Sequence, residues 1–464
     1  MNDDDPVEEF FTRERRDIHP LPGDDEHWTA LVDAHRRSRR SRWTGFAAGA
    51  AAAAVIVGGV GYTLRPSANG ALPGSHTASS TTRSPSPSGS PSSSAATGST
   101  ATSTPRPTTR PVPSDFVVLS VSNAGSDTVF ALGTTTSNGT GLPAVARSTD
   151  NGKTWLVVAS LPGASTPGRQ VTGQVGNDTS FTQIRMASQK VGYIFGGSLM
   201  RTTDGGFHWY PYAVPGQDVL ALETDGKNLA IASTTGSCDG LTCSGDLLVT
   251  STSVTADSVA TPTWTLAQSS PIRSVSFAWQ NGGLFLTLQT TQARSAGPIG
   301  AKGFQPAVLP GCQPGTSASN LVVPASGGTM FALCPGGGAA GSVGFGVASS
   351  TDGVAWSGVS AADSGALTLV SGPFLSVAAS DGQHLVAVSG GSPDVHGSMR
   401  VSSDGGVTWG DAKKPPTMPD RGWYWVGSPG GGQFYAVPAP SSGAYWLSTD
   451  RGATWSKVQV ARAT

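Results

Sequence analysis

The side chains able to do chemistry are few and widely spaced. Arg185, Arg273 and Arg421 each stand on or just before an apolar stretch, and Tyr424 follows the last of them. Guanidinium groups brought together from such positions would bind a carboxylate or sulfate through charge-assisted hydrogen bonds. Glycoside hydrolysis needs more, in most cases a pair of carboxyl-type groups flanking the scissile bond. Residues 115–464 contain a single glutamate, Glu223, in Leu222-Glu-Thr-Asp-Gly226. That segment reads as a strand-to-strand turn on the face away from the arginines. His208, His384 and His396 lack metal-ligand spacing, and no phosphate-binding loop occurs, so no metal and no cofactor is expected. Cys238 and Cys243 are close in sequence, as are Cys312 and Cys334; four cysteines outside the cytoplasm suggest two disulfides, with neighbour pairing expected among three possible connectivities.

The elements that must hold these groups are not helices. Of 464 residues, 62 are Gly and 33 Pro, a punctuation density that excludes a mainly helical chain. Charged residues make up 13% and the net charge is −1, which excludes nucleic acid as the main partner. From residue 115 onward one pattern recurs: Ser148-Thr-Asp150-Asn-Gly-Lys-Thr-Trp155, then copies carrying Asp204 and Trp209, Asp404 and Trp409, and Asp450 and Trp455. A contracted copy holds Asp352 and Trp356. The Asp can accept hydrogen bonds from the turn's own N–H groups, the Gly supplies positive φ, and the Trp opens the next strand. These aspartates are therefore expected to brace turns rather than act as acids.

The repeat S-x-D-x-G-x-T-W is the Asp-box, and the chain resembles the bacterial neuraminidase (BNR) repeat proteins of the sialidase-like propeller superfamily. The resemblance implies an all-β β-propeller. It also implies, for an active member, an arginine clamp on a substrate carboxylate and a Tyr nucleophile activated by Glu; the lone Glu223 and the absence of an F-R-I-P-like element depart from that pattern. Apolar hairpin strands at 128–132, 192–195, 228–232, 284–288, 329–333, 384–388 and 433–437 predict seven blades, or six if the fourth and fifth merge. The repeats mark one face. Longer loops at 134–142, 236–246, 290–303, 335–344 and 390–397, with all four cysteines, mark the other, which is expected to bind a glycan, a cell-wall component or a protein.

Residues 1–42 form a charged segment that ends in Arg36, Arg37, Arg39, Arg40 and Arg42. Residues 43–64 carry no charge and suffice for a transmembrane helix across a hydrocarbon core of about 30 Å. The arginines place the N-terminus in the cytoplasm and the propeller outside it; a twin-arginine leader around Ser38-Arg39-Arg40 is the alternative. Residues 65–114, rich in Ser, Thr and Pro, read as a disordered stalk. The expected protein is thus a single-pass membrane protein whose propeller binds a ligand without turnover. An exo-sialidase-like hydrolase and a receptor that engages a cytoplasmic partner through residues 1–42 are the alternatives.

Overall fold

The computed structural model describes residues 109–462, apart from 126, 136–141, 162–180, 240–241, 308, 310–319, 323–327, 340, 361–366, 371–374, 392–395 and 440–441. The segments read from the sequence as cytoplasmic (1–42) and membrane-spanning (43–64), most of the one read as stalk, and Cys312 lie outside these residues. The described chain is all-β and makes seven antiparallel sheets, the blades of a seven-bladed propeller. Their inner strands are Val117–Asn123, Gln183–Met186, Val219–Thr224, Ile272–Gln280, Asn320–Val322, Leu375–Ala379 and Trp423–Gly430. Blades four and five are separate sheets, so the ring does not contract to six.

The second strand of each blade is covered on both sides by neighbouring blades, which is why it reads as an unbroken apolar run rather than an alternation. Val129–Leu132, Ile194 and Phe195, Leu229–Ala232 and Leu385–Val388 are all buried. Inner strands meet a different requirement. Their channel-side backbone groups have no further strand to pair with, and unpaired buried N–H groups are costly. Serines from the adjacent blade satisfy them: Ile184 N and Met186 N donate to the hydroxyls of Ser120 and Ser122, and Val426 N donates to Ser376.

The ring closes without exchanging a strand between its ends, because blade one and blade seven are each built from contiguous chain. Packing holds the seam. Val118 N donates to Ser442 O at 2.8 Å, Asn123 Nδ2 to the Tyr435 hydroxyl at 3.0 Å, and Trp155 meets Tyr445 edge-on. Arg110–Pro111 adds an extra outer strand to blade one, and Val112 is buried beside Val460 and Ala461. Packing of the propeller therefore starts within the segment read as stalk.

The repeated turns are built as their residue types demand. In the first, Ser148 Oγ donates to Asp150 at 2.7 Å and accepts from Gly152 N at 2.8 Å. Thr154 donates to the same carboxylate through its N–H (2.9 Å) and hydroxyl (2.6 Å), and Trp155 Nε1 reaches back to Gly152 O at 3.0 Å. Asn151 and Gly152 both take positive φ, 59° and 82°. The second copy replaces the Thr by His208, whose backbone N and ring Nδ1 contact Asp204 instead. Blade four has no such turn; its last two strands join at Ala301-Lys302.

These hydrogen bonds lower the aspartate pKa values. Thr154 above all holds Asp150 down at about 2. At Asp204, Asp404 and Asp450 burial opposes the charge, but the combined hydrogen bonds outweigh it and the net shift is downward. A depressed carboxylate stabilises the fold fully above its unfolded value near 4 and loses that contribution as pH falls through its folded value. Melting temperature is therefore expected to hold from pH 7 to about pH 4 and to fall steadily towards pH 2. Asp150→Asn should lower the plateau and flatten that acid limb; a limb identical to wild type would refute the link.

Two segments read as loops prove to be strands. Within 290–303, Arg294–Gly300 is the third strand of blade four, disguised by Gly297, Pro298 and Gly300. A side chain at Gly297 would lie 2.1 Å from Gln305 O, so the residue is small because the neighbouring strand approaches closely. Within 335–344, the second strand of blade five continues to Ala339 and pairs back with the strand Ser342–Ser350. Cys334 thus sits inside a long strand rather than at its end.

Candidate functional site

The four side chains singled out for binding do not form one cluster. Arg185, on the inner strand of blade two, donates through Nε to Glu223 Oε2 at 3.1 Å, and through Nη1 to Ile184 O at 2.9 Å. Its guanidinium also lies over the rings of Phe195 (5.9 Å) and Trp425 (5.8 Å). Trp425 belongs to blade seven, so Arg185 reaches past blade one across the central channel. From blade four, Trp279 Nε1 donates to Glu223 O at 3.4 Å. Glu223 itself is the penultimate residue of its inner strand, not part of the following turn as its Thr-Asp-Gly context suggested. Four inner strands are thereby tied across the channel, and the glutamate is committed to an arginine.

Tyr424 occupies a register shift between Trp423 and Trp425 and packs against the core shared by the first and last blades. Burial pushes its phenol pKa upward. A nucleophilic tyrosine needs the reverse, a neighbouring base that makes it easier to deprotonate.

Arg273 and Arg421 lie at the loop face, away from that cluster. Arg421 sits in the connection into blade seven, its N–H donating to Ala439 O at 3.0 Å and its C=O accepting from Gly391 N at 2.8 Å. Arg273 is exposed at a β-bulge between Ile272 and Ser274, a device that re-aims a side chain out of the ladder. Beside it lies the loop closed by the Cys238–Cys243 disulfide, which is pinned to the blade by reciprocal 2.7 Å hydrogen bonds between Cys243 and Ile272. Gly245 takes φ +82° there, where a Cβ would stand 2.5 Å from Gly236 N. The half-buried Asp218 accepts the Cys238 N–H, and burial raises its pKa. Cys334 is also disulfide-bonded.

Among the described residues no group of three or more His, Cys, Asp and Glu side chains could hold a metal. His384 contacts Asp381 of its own turn at 2.8 Å, and His396 contacts Asp420 O, in the connection into blade seven, at 3.2 Å. Sequence reasoning missed Trp279, Trp425 and Arg294. The first two were readable only as strand aromatics, and Arg294 was hidden in a presumed loop.

Strand order and register define the class: an all-β, seven-bladed β-propeller with a ring closed by packing. No family model matches the chain, and no curated protein matches it. Solved structures similar to it include Sqt1 from Saccharomyces cerevisiae, at 10% identity over 76% of this chain and 87% of that one, with a TM-score of 0.45. The β-propeller domain of the Trilobed protease from Pyrococcus furiosus matches at 8% identity over 75% and 97%, with a TM-score of 0.44. The GH74 enzyme of Niastella koreensis matches at 12% identity over 74% of this chain, which spans 66% of that chain, with a TM-score of 0.35.

Proposed function

We propose that this protein is a membrane-anchored, extracytoplasmic propeller of the Asp-box type that binds a glycan or protein at its cysteine-bearing loop face and turns nothing over. One observation carries the non-catalytic half of this reading: Glu223, the lone glutamate of residues 115–464, is held by Arg185 at 3.1 Å. An acid so engaged is not available to deprotonate a tyrosine, and Tyr424 is shifted the wrong way by burial. The binding half is supported by the rigid loop of blade three, stapled by its disulfide and hydrogen-bonded to the next blade, since a preorganised loop costs less to order on binding. The uncharged span at 43–64 and the arginines before it support the anchor and the outward placement.

The test is binding of the full chain to cell envelopes of its native host. Asp239→Arg alters an exposed position within the stapled loop. It should weaken binding about tenfold or more, with a small fall in Tm, because it removes the hydrogen bonds that Asp239 accepts from the Thr242 N–H and hydroxyl and with them the loop's preorganised shape. Undiminished binding by this variant would contradict a loop-face role.

A further inference from the structure

At two seams between blades an arginine fills a slot that stands open at a third. Arg147, the residue before the repeated turn of blade one, pairs across strands with Phe130. Cross-strand partners share a sheet face, and Phe130 packs into the core shared with blade two, so both side chains face that blade. The Arg147 guanidinium lies 5.4 Å from the Phe130 ring centroid and 5.7 Å from that of Phe207 in the turn of blade two, and its Nη1 donates to Gly205 O at 3.5 Å. Arg201 repeats the arrangement one blade on. Paired with Tyr193, it lies over the Tyr212 ring and donates to Val254 O and to Asp257 of blade three.

Blade four has the same floor without the arginine. Phe285 corresponds to Phe130, because the turn glycine of the following blade lies on each ring: a Cβ at Gly353 would fall 2.0 Å from Phe285 Cζ, and one at Gly206 would fall 3.1 Å from Phe130 Cε1. The cross-strand partner of Phe285 is Pro298, too short to reach over the ring. The turn of blade five is also contracted. Gly353 N donates to Ser350 three residues back, whereas Gly206 N donates to Thr202 four back, so the counterpart of Gly205, the acceptor for Arg147, is missing. Val354, in the place of Phe207, is 77% exposed. What results is a cavity of about 210 Å³ walled by Leu284, Phe285, Pro298 and Ile299, with the exposed Lys302 and Gln305 at its rim.

Size, shape and charge restrict what fits. An apolar cavity of about 150 Å³ takes one benzene ring, whereas small-molecule sites run to roughly 300–1,000 Å³, so this one suits a single ring. Every residue lining it belongs to blade four, which makes it a one-sided hollow where an occupant keeps one flank outside. That is the fit of an anchoring side chain carried on a partner's backbone. The Phe285 floor favours an aromatic ring, and Lys302, the single charged side chain among those lining the cavity, favours an acidic neighbour.

We propose that blade four, at the face marked by the repeated turns, docks a protein partner through an aromatic side chain flanked by acidic residues. The ring enters the slot that Arg147 and Arg201 fill at other seams, and the flanking carboxylate meets Lys302. This site is separate from the loop face and does not depend on the binding proposed there.

The test is fluorescence anisotropy of the full chain with a labelled five-residue peptide that carries tryptophan between two glutamates. Affinity should fall about tenfold or more when alanine replaces the tryptophan, and severalfold when lysines replace the glutamates. Pro298→Arg gives blade four the residue that blade one has at this position and should abolish binding at wild-type Tm. Lys302→Glu, on an exposed turn, leaves the cavity in place and should reverse the preference towards the lysine-flanked peptide; it decides the matter if Pro298→Arg does not fold. No binding of the tryptophan peptide, equal binding of the alanine peptide, binding that survives Pro298→Arg in the folded chain, or a preference that Lys302→Glu leaves unchanged would each overturn the proposal. Free N-acetyltryptophan bound as tightly as the peptide would make this a site for small aryl acids and overturn the protein-partner assignment.

Discussion

Arg185→Ala is expected to lower stability by about 2–4 kcal/mol, the sum of a partly buried ion pair, two cation–π contacts and a carboxylate left without its partner. The size follows from where the side chain sits. Its guanidinium is four-fifths shielded from solvent, between Glu223 of blade three and the Trp425 ring of blade seven. Losing it removes a link that spans the seam between the last blade and the first, the part of the ring closed by packing and hydrogen bonds rather than by a shared strand. Arg185→Lys should recover little, since an ammonium neither stacks flat on indole nor forks to a carboxylate. A thermodynamic cycle with Glu223→Gln separates the pair from the stacking: coupling of about 1 kcal/mol is expected, and strict additivity would show that the ion pair contributes nothing.

The same side chains show why the fold was legible in the sequence and the site was not. Seven hairpins stood out because a second strand buried on both sides must be apolar throughout, and because each Ser/Thr-x-Asp turn recruits the same donors locally. Phe130, Phe285, Phe331 and Phe434 are buried as those patterns require. Local rules failed where the reason for a residue is not local. Gly297 looks like a loop glycine, yet it is small because Gln305 passes beside it. Glu223, followed by Thr-Asp-Gly, looks like a turn residue, yet its partner is 38 positions earlier in a different blade. Arginines taken as one clamp are dispersed because they stand at different heights along their inner strands: Arg185 lies within its strand, whereas Arg273 and Arg421 lie at or before the starts of theirs. Arg185 turns inward to a glutamate and Arg273 outward to the loop face.

Dispersal has a chemical consequence. Retaining hydrolysis of a sialoside requires an arginine clamp, a deprotonatable tyrosine and a free base within one small volume. Here the base is neutralised by the arginine nearest to it, and the half-buried tyrosine packs against the core shared by the first and last blades. On the function proposed above, a ring with these residues serves recognition rather than turnover.

The most direct test of this account is incubation of the folded full chain with an aryl sialoside and measurement of released phenol over hours at pH 5–7. The expected result is release indistinguishable from buffer, both for the wild-type chain and for Tyr424→Phe. Release that exceeds buffer and disappears in Tyr424→Phe at unchanged Tm would show that the tyrosine is catalytic and would contradict the account.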